Sequence, residues 1–149
     1  METTKVLMVC LGNICRSPLA QGIFEEKTKN LSFQVDSAGT AGYHIGSAPD
    51  QRSIAVALNH GIDLRNQKAR KFESCDFDKF DYIFVMDKSN YKDVLALATS
   101  VEMAKKVHLF LPNGNEVPDP YYGDTEGFEH CFKLLNEASE YWIKNMENE

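Results

Sequence analysis

The sequence lacks the features that would place a chain in a membrane, export it or attach it to nucleic acid. Its longest uninterrupted apolar run covers residues 6–11, far below the ~20 residues that a membrane-spanning helix needs. The first residues carry neither the basic region nor the small-residue cleavage site of a signal peptide. Lysine and arginine number 16 against 22 acidic residues, whereas nucleic-acid binding favours a basic patch. The composition therefore predicts a cytoplasmic protein without a membrane or nucleic-acid partner.

Patterns of cysteine and histidine that would indicate a metal site or a disulfide framework are also missing. The four cysteines include no Cys-x2-Cys pair, and the four histidines do not cluster along the chain, so we expect no metal site and no cofactor. In a reducing compartment the cysteines should be free thiols. The 149 residues, 43% of them hydrophobic, suit one domain with its own core. We therefore expect a single domain over residues 1–149.

Four short apolar runs alternate with segments of helical spacing. The runs predict strands at residues 5–10, 33–35, 82–86 and 107–111. Helices are expected from Ser17–Pro18 onward, at 49–59 with Gly61 closing the helix, at 89–98, and from Glu126 to the end. This alternation is typical of an α/β fold with a parallel sheet, whose ligands bind beyond the carboxyl ends of the strands.

The segment after the first strand has the spacing Cys-x5-Arg, from Cys10 to Arg16. A strand that enters a helix through a tight loop leaves several backbone N–H groups free to converge on an anion. Gly12 allows a positive φ, and Asn13 tolerates the left-handed conformation. Arg16 offers a planar fork for two phosphate oxygens. The spacing therefore predicts a phosphate-binding loop, formed by Leu11, Gly12, Asn13, Ile14, Cys15 and Ser17.

Cys10 would lie at the floor of this loop. The field of backbone amides and guanidinium that binds a phosphate also stabilises a thiolate, which is a nucleophile for in-line displacement at phosphorus. Ser17 is expected either to hydrogen-bond the sulfur or to cap the following helix. The alternative is that Cys10 is only a small buried residue at the end of a strand.

A nucleophile that displaces an alkoxide or phenoxide also needs an acid. Asp119 lies between Pro118 and Pro120, and this rigid, extended segment follows the fourth predicted strand. The carboxyl group would then lie at the same edge of the sheet as Cys10. The alternative role for Asp119 is that of an Asx-turn residue.

Several segments together resemble the low-molecular-weight protein tyrosine phosphatases, in the family's order and over residues 5 to about 146. They read VCLGNICRSP at 9–18, DSAGT at 36–40, FDYI at 80–83, MDKSN at 86–90 and PDPYYG at 118–123. The resemblance implies a four-stranded parallel sheet with helices on both faces. It also implies two-step hydrolysis of phosphotyrosine or other aryl phosphate monoesters through a cysteinyl-phosphate, without a metal.

The resemblance implies roles for individual residues. Cys10 would be the nucleophile, Arg16 would bind phosphate and stabilise the transition state, and Asp119 would act first as acid and then as base. Asn13 matches an asparagine that holds the loop, tied by a hydrogen bond from the serine at Ser37. The expected partners are phosphotyrosine proteins or small aryl phosphates, and the expected state is a monomer with weak self-association.

The resemblance also assigns the surroundings of the loop. Tyr43, Tyr121 and Tyr122 match aromatic positions at the mouth of the substrate cleft. Cys15 matches a cysteine that forms a reversible disulfide with the nucleophile.

One position departs from the family pattern. Gln67 lies where many members have a histidine that supports the loop asparagine, so the bracing of Asn13 remains open. Asp87, although its position is matched, is expected to be structural. Cys75 and Cys131 are expected to be packing residues.

Two other functions stay open from the residues alone. An arsenate reductase of the same fold would share the phosphate loop, but it would need two further cysteines close together, and Cys75 has no such neighbour in sequence. A module that binds phosphorylated ligands without turnover would leave Cys10 inert.

Overall fold

The sheet has four parallel strands in the order β2-β1-β3-β4. In the computed structural model, which describes residues 2–147, the strands are β1 (Thr4–Cys10), β2 (Phe33–Gly39), β3 (Tyr82–Val85) and β4 (Val107–Leu109). All four predicted strands are confirmed. β2 is longer than predicted, because residues 36–39 continue to pair in parallel with residues 7–10 of β1.

Within residues 2–147, six α-helices connect and follow the strands: α1 (Arg16–Lys27), α2 (Gln51–Asn59), α3 (Asp76–Lys79), α4 (Lys88–Leu95), α5 (Val101–Lys105) and α6 (Thr125–Glu147). The sequence did not predict α3 and α5, because helices of four or five residues are too short to show a helical period. α4 starts one residue earlier and ends three residues earlier than predicted. Its start is set by Asp87, whose carboxylate accepts a hydrogen bond from the N–H of Asn90.

Alternate residues of β1 face two separate layers of the core. Val6 and Met8 pack into the layer that contains α1, α2 and α6, whereas Leu7 and Val9 pack into the layer that contains α3, α4 and α5. This period of two is the geometry of a strand buried on both faces. The prediction of helices on both faces is therefore confirmed.

The strand order places β1 between β2 and β3. The loop that follows Cys10 therefore lies beside the carboxyl ends of both neighbours, where parallel sheets bind their ligands. No helix within residues 2–147 has the length and apolarity needed to cross a membrane.

Candidate active site

The loop after β1 closes around the sulfur of Cys10. The Cys10 side chain is buried, and its Sγ accepts a hydrogen bond from the N–H of Asn13 at 3.3 Å. Asn13 has φ 58°, so the expected left-handed residue is confirmed, whereas Gly12 is not among the residues with positive φ. The small size of Gly12 matters instead, because a Cβ there would lie 3.2 Å from Cδ2 of His44. Glycine at position 12 thus lets His44 pack against the loop.

Ser17 contacts the sulfur of Cys10 directly. Its Oγ lies 3.0 Å from Cys10 Sγ and accepts a hydrogen bond from Asn13 Nδ2 at 2.8 Å. The helix cap is at Cys15, and Ser17 lies inside the first turn of α1. Of the two roles expected for Ser17, the contact with sulfur is confirmed and the helix cap is wrong.

Asn13 holds the loop through both ends of its amide. Nδ2 donates to Ser37 Oγ at 3.0 Å as well as to Ser17, and Oδ1 accepts from the N–H of Arg70 at 3.0 Å. The expected contact between Asn13 and Ser37 is present, but its direction is reversed, because Ser37 donates its own proton to Gln21 Oε1 at 2.7 Å. The amide of Asn13 therefore joins the loop to β2 and to the segment before α3.

Gln67 does not support Asn13. Its Nε2 donates to the carbonyl of Pro18 at 3.1 Å, and its Oε1 is buried without a hydrogen-bond partner. Gln21 takes the bracing role by accepting from Ser37. Sequence reasoning missed Gln21. Its position four residues after Ser17, on the same face of α1, would have indicated that its side chain lies near the phosphate-binding loop.

β2 approaches the loop so closely that it leaves no room for a side chain. A Cβ at Gly39 would lie 2.8 Å from the carbonyl oxygen of Leu11 and 3.1 Å from the backbone of Gly12. Glycine is therefore the residue that permits this backbone contact.

Arg16 is almost fully buried, and fixed partners surround its guanidinium. Nη1 donates to Asp87 Oδ2 at 2.7 Å and to the carbonyl of Val117 at 3.0 Å. Nη2 lies 3.6 Å from Asp119 Oδ2. The carboxylate of Asp87 thus serves two purposes, since one oxygen caps α4 and the other orients Arg16. Its expected structural role is confirmed, and the contact with Arg16 adds a positioning role.

The charge of Arg16 is stabilised in spite of its burial. Burial lowers the pKa of the Arg16 guanidinium, but the nearby Cys10 sulfur and the carboxylates of Asp87 and Asp119 raise it by more, so the net pKa lies above its ordinary value. The pocket therefore holds a permanent cation beside the sulfur.

Asp119 faces the cavity above the loop and also makes a turn. Its Oδ1 accepts from the N–H of Tyr121 at 3.1 Å, which is the Asx turn considered above, while Oδ2 faces Arg16. Its side chain is 37% exposed. A carboxyl group in this position can reach both substrate and solvent.

Most of the predicted site residues line one cavity of about 120 Å³, whereas Asn13, Ser17 and Ser37 do not line it and instead join one another through hydrogen bonds. Leu11 and Ile14 contribute apolar side chains, and the exposed rings of Tyr43 and Tyr122 stand at its mouth. His44 also lines the cavity. The lining residues are Cys10, Leu11, Gly12, Ile14, Cys15, Arg16, Tyr43, His44, Asp119, Tyr121 and Tyr122.

The other three cysteines have distinct surroundings. Cys15 is buried at the cavity wall, and burial together with the charge of Asp50 raises the pKa of its thiol. Cys131 is a core residue, as expected, and burial raises the pKa of its thiol to about 12. Cys75 is exposed at the start of α3, so the expectation that it packs inside is wrong. Among residues 2–147 no three His, Cys, Asp or Glu side chains form a metal-binding group.

A thiol at the end of a parallel strand and a guanidinium at the start of the next helix, joined by a tight loop, form the arrangement expected of cysteine-dependent phosphatases. A sequence profile described as "Low molecular weight phosphotyrosine protein phosphatase" matches residues 5–149. This chain belongs to that family of protein-tyrosine phosphatases.

Individual relatives agree over nearly the whole chain. The low molecular weight phosphotyrosine protein phosphatase of Schizosaccharomyces pombe is 38% identical, covering 97% of this chain and 98% of the relative. The Homo sapiens enzyme of the same name is 40% identical, with 88% of each chain covered. The crystal structure of a protein tyrosine phosphatase from Entamoeba histolytica superposes with a TM-score of 0.92 at 37% identity, covering 98% of each chain.

Proposed function

We propose that this chain, acting as one domain over residues 1–149, hydrolyses phosphotyrosine and other aryl phosphate monoesters in two steps. The observation that carries the proposal is the single cavity in which Cys10 Sγ, the Arg16 guanidinium and the Asp119 carboxyl group converge. These groups supply a nucleophile, a phosphate-binding cation and a proton donor.

In the first step the Cys10 thiolate attacks phosphorus in line with the phenolic oxygen. The loop amides and Arg16 bind the equatorial phosphate oxygens, where negative charge is concentrated. Asp119, in its protonated form, donates its proton to the phenolic oxygen as the P–O bond breaks. The products are the free phenol and Cys10 carrying the phosphoryl group.

In the second step water replaces the sulfur. Asp119, now a carboxylate, accepts a proton from water as the water attacks phosphorus. The P–S bond breaks, and the thiolate that leaves is stabilised by the hydroxyl of Ser17 and the N–H of Asn13, which already contact Sγ at 3.0 and 3.3 Å. Both steps use only groups of the chain and one water molecule.

The cavity favours an aromatic ring behind the phosphate. Tyr43, Tyr121 and Tyr122 supply apolar walls on which a phenyl group can stack. A phosphoserine is too short to bring its phosphorus to a nucleophile at the floor of a narrow slot. We therefore propose phosphotyrosine proteins or small aryl phosphates as substrates.

We also propose that the protein is a cytoplasmic monomer that self-associates weakly. It would have no nucleic-acid or membrane partner.

Replacing Asp119 with alanine should slow esters of basic phenols far more than esters of acidic phenols. A placed acid contributes about 10²–10⁴-fold when the leaving group needs a proton, and little when it does not. The measurement is kcat/KM for a series of aryl phosphates with phenols of graded pKa, because this ratio reports the first step, whereas kcat also contains the second step, in which Asp119 is the base. The Asp93→Ala variant, which changes an exposed aspartate of α4, is the matched control. Equal losses across the series would show that Asp119 is not the acid.

The arsenate-reductase alternative finds no support in the positions of the cysteines. Cys75 starts α3 on one face of the sheet, whereas Cys131 lies in the core layer of the opposite face. These two cysteines therefore do not form the close pair of additional cysteines that an arsenate reductase of this fold would need.

We also propose that Cys15 protects the nucleophile from irreversible oxidation. Peroxide would convert the Cys10 thiolate to a sulfenic acid, with release of hydroxide, and the Cys15 thiol would then form a disulfide with it and release water. Burial and the charge of Asp50 raise the pKa of the Cys15 thiol, which favours its protonated form over a second thiolate that would compete with Cys10 for substrate.

The role of Cys15 predicts a difference in recovery after oxidation. Wild-type activity lost to peroxide should return on treatment with a thiol, whereas the Cys15→Ser variant should recover only a small fraction after the same exposure. The measurement is activity recovered at matched degrees of inactivation, with Cys75→Ser as the exposed-thiol control. Full recovery in Cys15→Ser would refute the role of Cys15.

A further inference from the structure

The segment that carries Asp119 is anchored beyond the acid by one arginine from another element. Arg52, in the first turn of α2, donates from Nη2 to the carbonyl of Tyr121 at 2.9 Å and from Nη1 to the carbonyl of Gly123 at 3.1 Å. On the other side of the acid, the N–H of Val117 donates to the carbonyl of Met86. Asp119 therefore lies between two anchor points.

The guanidinium of Arg52 is itself held in place. Asp50 accepts from Nε at 3.0 Å and from Nη2 at 3.0 Å, which is a bidentate pair. The guanidinium also lies 4.5 Å from the ring centre of Phe128, in α6. The planar guanidinium therefore contacts a carboxylate, two backbone carbonyls and an aromatic ring at the same time. A lysine ammonium could not make the same set of bonds.

The same pair also connects to the phosphate loop. The N–H of Asp50 donates to the carbonyl of Ile14 at 2.8 Å, and the carboxylate of Asp50 caps α2 through the N–H of Arg52. One short segment, residues 50–52, thus bonds to the loop that holds the nucleophile and to the loop that holds the acid.

We propose that Arg52 is a positioning residue for the acid step, because it fixes the 119–123 segment relative to the phosphate loop. The inference rests on the proposed role of Asp119 as the acid. Arg52 does not line the cavity and does not touch the nucleophile, so it acts on the reaction through Asp119.

The proposal predicts a loss that depends on the leaving group. A displacement of about 1 Å costs on the order of 10²-fold when a reacting group must be aligned. In Arg52→Ala, kcat/KM for esters of basic phenols should fall on the order of 10- to 100-fold, while kcat/KM for esters of acidic phenols changes little. The inhibition constant of inorganic phosphate should stay within about twofold, because Arg16 and the loop amides remain in place. Arg52→Lys should resemble Arg52→Ala.

The chain offers a matched control in Arg65. Arg65 makes the same bidentate pair with Asp63, two residues before it, and its N–H likewise donates to Asp63 Oδ1. Within residues 2–147 it has no other hydrogen-bond or ion-pair partner. Arg65→Ala should leave both the leaving-group series and phosphate inhibition unchanged. The melting temperature of each variant shows whether a loss of activity comes from a displaced Asp119 in a folded protein or from unfolding.

A double variant separates this inference from the proposed function. If Arg52 acts through Asp119, adding Arg52→Ala to Asp119→Ala should cost less than twofold more in kcat/KM on esters of basic phenols. Losses that multiply in the double variant, or a loss in Arg52→Ala that is equal for all leaving groups, would overturn the inference and leave Asp119 as the acid. A flat series for Asp119→Ala would instead overturn the acid assignment itself.

Discussion

Cys10→Ser is expected to abolish turnover and to leave phosphate binding intact. The hydroxyl that replaces the thiol is not ionised at neutral pH, so no anion remains to attack phosphorus. Removing a nucleophile from a well-studied hydrolase costs about 10⁶-fold in kcat. The loop amides and Arg16, which supply the phosphate contacts, are unchanged. The measurements are hydrolysis of an aryl phosphate and calorimetric titration with inorganic phosphate.

The exposed Cys75 offers the control for this change. Cys75→Ser makes the same chemical substitution away from the cavity and should retain wild-type turnover. Substantial turnover by a Cys10→Ala variant, which has no nucleophile at this position, would contradict a covalent intermediate. Loss of phosphate binding together with turnover would show that the loop had collapsed.

Arg16→Lys should be the second most damaging change, although it conserves charge. The guanidinium reaches Asp87 and the carbonyl of Val117 through Nη1 and keeps Nη2 at the cavity. A single ammonium cannot keep these contacts and still bind two phosphate oxygens. An arginine that stabilises the transition state of phosphoryl transfer contributes about 10³–10⁵-fold, and we expect a loss of that order in kcat/KM.

Arg16→Lys should both weaken substrate binding, seen as a higher KM, and lower kcat. The measurement is kcat and KM on one aryl phosphate, together with the inhibition constant of phosphate. Arg65→Lys, at an exposed arginine paired with Asp63, is the matched control and should behave as wild type. Near wild-type kcat in Arg16→Lys would show that the charge alone is sufficient.

Strong local patterns in the sequence predicted the main elements of the fold. Strands buried on both faces are continuous apolar runs, and the Cys10-to-Arg16 spacing marks the loop between a strand and a helix. The short helices α3 and α5 could not be predicted, because four or five residues are too few to show a helical period, and α5 has no buried residue to mark a core face. The extra length of β2 depends on tertiary structure, since residues 36–39 pair with β1.

In the site, residue types were easier to predict than the partners that orient them. Cys10, Arg16 and Asp119 stand in recognisable motifs. The direction of the Ser37 hydrogen bond, and the choice of Gln21 over Gln67 as its acceptor, depend on where α1 lies against β2. The contact between Asp87 and Arg16 joins residues 71 positions apart, a distance over which local patterns carry no information.

Arg16 depends on groups that come much later in the chain, at Asp87 and Val117. During synthesis on a ribosome, the nucleophile and its arginine emerge first, while the groups that aim the arginine are still untranslated. A nascent chain therefore carries the reactive cysteine before it has a finished pocket. Until the segment with Asp119 has left the exit tunnel and folded back onto the sheet, the growing polypeptide cannot work as this enzyme.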